Sequence, residues 1–377
     1  MVVLRRERRR IGEENAHGGP RLVLPLPPTF DEARAAFPVL DHLAYLNAGT
    51  NGPLARSTVE AILAEQLLDL AQGRGGEPYF SRVLGFRDDV RVKLAALLSA
   101  EPEQVALTRS TTDGCNIVLA GLDVGPEDEI VTSDVEHFGL IGPLHASGAR
   151  VVVAPEDEIV EAVTDRTRLV AISHISWVTG NSLEPERVQA ETGLPILVDG
   201  AQSAGAIPVD AGAFDFYAVS CQKWLCGPDV TGALAVADPD ALRIALPSYF
   251  AQSEHQPDGS FVPRAGAERF DSGWIGGPSL AGLSAALEVA PEWRFERGAE
   301  IAARCRAALA ERFEVVTKPH QAGLVTFRPA RDAAELVALL RDQSVIVREI
   351  PGRDLIRVSC GYWTSEEDID RLLEGLA

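Results

Sequence analysis

Lys223 stands in the run Ser220-Cys221-Gln222-Lys223-Trp224-Leu225-Cys226-Gly227-Pro228, twenty-four residues after Asp199 in Leu197-Val198-Asp199-Gly200-Ala201-Gln202. A lysine amine condenses with an aldehyde, and a carboxylate at the end of an apolar strand can hold a pyridine nitrogen protonated. Together they suit pyridoxal phosphate. Apolar neighbours such as Trp224 and Leu225 would lower the lysine pKa and keep more of it as free amine. Taken singly, the two residues read equally as a snorkelling surface lysine and a helix-capping aspartate.

Other segments fit parts of the same cofactor. In Leu107-Thr108-Arg109-Ser110-Thr111-Thr112-Asp113-Gly114 a strand runs into a helix whose first turn offers hydroxyls and free amides. A phosphate binds well there, with Thr111 and Thr112 as ligands, although ordinary N-capping by Ser110 or Thr111 would use the same residue types. Gln202 could hydrogen-bond the ring's phenolic oxygen or be a loop amide. His137 follows the strand Glu129–Thr132 and could stack on a ring and move protons, whereas His174 reads as a satisfied core histidine. Arg348 and Arg357 lie across a Pro-Gly turn, and a guanidinium fork grips an α-carboxylate by two parallel bonds. Trp177, Tyr249 and Trp274 could line a substrate pocket or be core and interface aromatics.

Positioning these residues requires an α/β fold. Short β-branched runs alternate with amphipathic helical patterns: 105–108, 129–132, 150–153, 169–172, 196–199 and 216–219. Such alternation predicts a mainly parallel sheet covered on both faces, with ligand groups at the strands' carboxyl ends. Past Gly277-Pro278 the chain reads as helical to about Arg312. Beyond it follows a smaller α+β unit with strands at 323–327, 345–347 and 355–358 and helices from Asp332 and Ser365. The expected organisation is a disordered leader over 1–28, a segment at 29–48 joining the small domain, a large cofactor-binding domain at 49–284 and a small C-terminal domain at 285–377.

With 55 acidic against 35 basic residues, the net charge of −20 argues against nucleic-acid and anionic-membrane partners. Five scattered cysteines without a CxxC pair suggest neither disulfides nor a metal site, and fit a reducing cytoplasm. The Arg-rich start is followed by polar residues where a signal peptide needs an apolar stretch.

The segments together resemble the class V aminotransferase group of fold type I pyridoxal-phosphate enzymes, from about Tyr45-Leu46-Asn47-Ala48-Gly49-Thr50-Asn51-Gly52-Pro53 to the C-terminus. Within that group, Val198-Asp199-Gly200-Ala201-Gln202-Ser203-Ala204-Gly205, Gln321-Ala322-Gly323-Leu324-Val325 and the Arg348 to Arg357 spacing look most similar to cysteine/cystine carbon-sulfur lyases. The resemblance implies a seven-stranded sheet, pyridoxal 5'-phosphate and a homodimer with shared active sites. It places Lys223 on the cofactor aldehyde, Asp199 on the pyridine nitrogen, Gln202 on the ring oxygen and His137 on the ring face. Thr111, Thr112, Ser220 and Gln222 would surround the cofactor, and Arg357, with Arg348, Asn47 and Trp177, would meet the substrate. Two departures stand out: Gln222 replaces a histidine common in desulfurases, and Trp274 replaces a threonine that they often present to the neighbouring subunit. A desulfurase also needs a mobile thiolate on the small-domain loop, and Glu349–Ile356 has no cysteine. The expected reaction is therefore β-elimination from cysteine, cystine or a related amino acid, with desulfuration, transamination and epimerisation as alternatives.

Overall fold

The computed structural model describes residues 12–14, 20–21 and 28–377. Most of the expected leader lies outside the described residues; within it, Gly12–Glu14 and Pro20–Arg21 pair as a short antiparallel ladder. The large domain is built on seven strands: β1 (Val105–Thr108), β2 (Glu129–Ser133), β3 (Arg150–Ala154), β4 (Thr167–Ser173), β5 (Ile196–Asp199), β6 (Phe216–Ser220) and β7 (Gly232–Val236). Their order is β1-β7-β6-β5-β4-β2-β3, all parallel except β7, which runs antiparallel to β1 and β6.

Burial follows from composition. The six parallel strands are built mainly from β-branched and aromatic residues with Leu and Ala, and β1, β2, β5 and β6 are buried along their whole length, as a sheet covered on both faces requires. The edge strand β3 is the one largely open to solvent, with Arg150 and Val153 exposed and only Ala154 fully buried. Neither β-branched nor aromatic residues mark β7: Gly232-Ala233-Leu234-Ala235-Val236 has one β-branched residue and no aromatic one, so its place between β1 and β6 went unread in the sequence. One face of the sheet packs on the helix Gly76–Leu97, which is tied to β1 by Asp271. That buried carboxylate accepts from Arg87 (2.6 Å), Arg91 (2.8 Å) and the Leu107 amide (2.7 Å).

The small domain is an antiparallel sheet of β8 (Glu314–Val315), β9 (Leu324–Arg328), β10 (Arg348–Ile350) and β11 (Leu355–Ser359), in the order β8-β9-β11-β10. Its core joins Val325, Phe327 and Val358 of the strands to Ile301, Leu309, Leu336, Leu340, Ile369 and Leu372 of three helices. Two of those helices begin at side-chain caps. Asp332 caps Ala333–Asp342, and Ser365 with Asp368 forms a capping box at Glu366–Gly375. The N-terminal stretch is part of this unit, since Ala44–Tyr45 pairs in parallel with Val345–Ile346. Among the described residues, no helix is long and apolar enough to cross a membrane, and no cluster of His, Cys, Asp and Glu could hold a metal ion.

Candidate active site

The loops after β1, β2, β4, β5 and β6 converge at one end of the sheet and meet the β10–β11 hairpin of the small domain. Between them lies a cavity of about 250 Å³ lined by Thr111, Thr112, His137, Trp177, Asp199, Gln202, Ser220, Gln222, Lys223, Arg348 and Arg357. The strand-end rule for α/β sheets predicts this location, and it gathers residues as far apart in the chain as Gly49 and Arg357, 308 positions.

Ser110 caps the helix Thr111–Gly121, its hydroxyl accepting from the Asp113 amide at 3.1 Å. That leaves Thr111 free for the cavity side, where its hydroxyl meets Ser220 Oγ at 2.7 Å and its amide donates to the same oxygen at 3.1 Å. Two hydroxyls at a helix N-terminus form a cradle for an anion. Asp199 ends β5, buried, with Oδ1 accepting from the Ala201 amide at 2.9 Å. Gln202 is fixed at both ends: Nε2 donates to Gly49 O (2.8 Å) and Oε1 accepts from Trp224 Nε1 (3.0 Å). Its second amide hydrogen is left for a ligand oxygen.

His137 caps the helix Phe138–Ala146, and its Nδ1 accepts from the Gly139 amide at 3.0 Å, which leaves the neutral ring's proton on Nε2. The ring meets Trp177 edge-to-face at 5.1 Å. Burial and the neighbouring Lys223 cation lower its pKa, against an opposing pull from Asp199, and because much of the ring faces the cavity, water there screens the effect. Lys223 is held down to about 8, first by burial and then by Arg357, with Asp199 pulling the other way.

Arg357 is buried, with Nη1 donating to Trp177 O (3.1 Å) and Nη2 to Thr50 Oγ1 (3.3 Å), while its Nε has no partner. No carboxylate among the described residues pairs with it. Burial, with Arg348 adding to it, pushes its pKa down to about 9. Arg348 stands directly opposite Arg357 in the β10–β11 ladder, so both guanidinium groups leave the same face of the hairpin.

Asn47 is not on the cavity wall; its Oδ1 accepts from Thr50 Oγ1 at 2.8 Å, one residue behind Arg357. Tyr249 and Trp274 lie on the surface, Trp274 stacked 6.2 Å from Tyr79. His174 is buried away from the cavity, its Nδ1 3.0 Å from Tyr217 Oη. Two contributors were missed in the sequence. Gly49 leaves room between Arg357 and Gln202, since a Cβ there would sit 2.9 Å from Nη2 of the arginine. Glu136, the residue before His137, accepts from Ser133 Oγ (2.6 Å) and the Ser173 amide (3.0 Å), which ties the loop after β2 to the end of β4, and burial pushes its pKa up to about 7. A carboxylate directly before His137 was the available signal.

The residues fit a pyridoxal-phosphate-sized aldehyde with an anionic tail. The cavity holds an anion cradle, a lysine amine and a buried aspartate, and the buried Gln222 Oε1 and Trp177 Nε1 at its wall have no protein partner. Sheet order, the strand-end cavity and the small C-terminal domain define the fold type I architecture of pyridoxal-phosphate enzymes. The chain belongs to the class V aminotransferase family, whose model, described as aminotransferase class-V, matches residues 81–372. It is similar to isopenicillin N epimerase of Streptomyces clavuligerus, 29% identical over 92% of this chain and 97% of that one. Cysteine desulfurase CsdA of Escherichia coli K12 is 28% identical over 91% of this chain and 96% of that one. Among solved structures, a mutant of C-DES with glycine covalently linked to the PLP cofactor superposes with a TM-score of 0.85 at 29% identity, covering 91% of this chain and 98% of that one. The complex of the cystine C-S lyase C-DES with its reaction product cysteine persulfide gives 0.83 at 29% identity, covering 90% and 98%.

Proposed function

We propose that this protein is a carbon-sulfur lyase that eliminates a sulfur group from the β-carbon of cysteine, cystine or a related amino acid. The chain is a pyridoxal-phosphate-dependent member of its family; the choice of reaction and substrate is our reading. The observation that carries the amino-acid substrate is Arg357, a buried guanidinium whose Nε is free and which has no carboxylate partner among the described residues, so that it calls for an anionic ligand.

When bound, the cofactor supplies an aldehyde that condenses with amines and a ring that takes up the electron pair left by α-proton removal. Thr111, Thr112 and Ser220 would hold its phosphate at the helix N-terminus, with Gln222 close by. Asp199 would keep the pyridine nitrogen protonated, Gln202 Nε2 would donate to the ring oxygen, and His137 would cover one ring face. Arg357, with Arg348 beside it, binds the substrate carboxylate, and Asn47 supports that grip through Thr50. Trp177 closes the substrate side. Lys223 Nζ is the base that would take the substrate's α-proton; a pKa of about 8 leaves an appreciable share of it unprotonated near neutral pH. The β-carbon–sulfur bond then breaks with its electron pair on sulfur, and hydrolysis leaves pyruvate and ammonia.

Elimination is preferred over persulfide transfer because all five cysteines are buried, and burial pushes the Cys221 thiol up to about 12 and the Cys226 thiol up as well. None lies on the hairpin Glu349–Ile356. The similarity to the C-S lyase C-DES points the same way. We also read the chain as a homodimer, because the helix Arg56–Gln72 turns Leu63, Leu67 and Leu70 outward at helical spacing, the last two 64% and 83% exposed. Incubation with L-cysteine and with L-cystine, followed by mass spectrometry, tests the reaction. Pyruvate and ammonia are expected. Alanine as product would replace elimination with desulfuration, and a racemised amino acid would replace it with epimerisation.

A further inference from the structure

We infer that Asn181 and Thr317 are positioning residues for the carboxylate site: with Glu156 they stitch the loop 176–183 across the two domains and thereby hold Trp177 against Arg357 and His137. The inference rests on the reading of Arg357 as the carboxylate ligand.

The loop leaves β4 and returns on itself through the Ile175–Ser182 bridge, with the Ser176 amide donating to Asn181 O at 2.8 Å. Its tip, Gly180, has φ +74°, and a Cβ there would sit 2.9 Å from Leu324 O of the small domain, so only glycine lets the tip seat this closely. Asn181 is buried and uses both ends of its side chain: Nδ2 donates to Glu156 Oε1 (2.8 Å) in the large domain, and Oδ1 accepts from the Lys318 amide (2.8 Å) in the small one. Thr179 Oγ1 donates to the other oxygen of Glu156 (3.0 Å), and Thr317 Oγ1 donates to Thr179 O (2.6 Å). Gln321 Oε1 accepts from the Ser182 amide at 2.6 Å.

None of the residues in these six bonds lines the cavity. Trp177, four residues before Asn181, does: its carbonyl accepts from Arg357 Nη1 and its ring abuts His137. A loop without regular structure keeps such a placement only while its polar groups stay paired on both sides. Loosening Asn181 or Thr317 therefore moves the carbonyl that orients Arg357 without altering the residues around the ring or the anion cradle.

The test uses the cofactor-loaded protein and two amine probes, glycine and methylamine, read by the change in the cofactor's visible absorbance. Both probes carry an amine, and only glycine carries a carboxylate. Asn181→Ala and Thr317→Val are each expected to weaken glycine binding about tenfold, the worth of one buried hydrogen bond, while methylamine binding and the absorbance of the resting protein stay unchanged. Asn181→Asp sets a carboxylate against Glu156 and should weaken glycine binding further. Adding Glu156→Gln restores a donor and an acceptor with their direction reversed, and should recover the affinity, a coupling that general loosening of the fold does not produce. Glycine binding within twofold of the parent in both single variants, equal losses for both probes, or no recovery in the paired variant would each overturn the inference. Arg357→Met separates the two levels: if it leaves the glycine-to-methylamine ratio unchanged, the carboxylate reading itself fails.

Discussion

Replacing Arg357 by methionine should strengthen the fold and disable substrate binding together. A guanidinium whose pKa falls from its ordinary value to about 9 on folding is disfavoured in its charged form, by at most about 5 kcal/mol at roughly 1.4 kcal/mol per pH unit. Its hydrogen bonds to Trp177 O and Thr50 Oγ1 offset part of this, at about 1 kcal/mol each. Methionine keeps most of the side-chain volume, so the variant should gain about 1–3 kcal/mol against urea unfolding. The sign with pH follows from the lowered native pKa. The penalty is fully present below about pH 9 and fades as pH rises above it toward the ordinary guanidinium range, so the gain should be flat across neutral pH. Amino-acid affinity, read by cofactor absorbance, should fall by about 10²–10⁴, the loss of two charge-assisted bonds. A variant that is less stable than the parent and still binds amino acids as well would show that Arg357 is a structural residue, and the reasoning from its missing partner would be wrong.

The colour that develops when cofactor is added to the stripped protein should appear at a rate rising with pH through a midpoint near 8, the pKa to which burial lowers Lys223; a midpoint above 10 would mean a solvated amine. Lys223→Ala should leave no borohydride-stable label on the peptide, as judged by mass spectrometry. Gly49→Ala places a Cβ 2.9 Å from Arg357 Nη2 and 3.0 Å from Gln202 Oε1, so it should weaken amino-acid binding about tenfold, and an unchanged titration would show that the two side chains have room to shift. Leu67→Glu should convert a sedimenting dimer to monomer, and a dimer that persists would move the interface away from the helix Arg56–Gln72.

Much of this was written in the chain. Apolar β-branched runs gave six of the seven large-sheet strands within a residue or two at most ends, because a parallel strand buried on both faces tolerates few other residue types. Residue chemistry then marked Lys223, Asp199, His137, Thr111 and Arg357, since amine, carboxylate, imidazole, hydroxyl and guanidinium groups stood just past strand ends or within a strand. Tertiary structure alone decided the rest. Strand β7 is bland in sequence and is specified by the neighbours whose hydrogen bonds it completes. Asn47 looked like a substrate ligand and stands behind Thr50, because the N-terminal segment pairs with Val345–Ile346 and fixes which side chains face the cavity. That Arg357 finds no counter-charge among the described residues, and that Asn181 spans two domains, are facts about which groups meet in space. Local pattern records what each residue can do, whereas partnership depends on contacts between segments more than a hundred positions apart, which no local periodicity encodes.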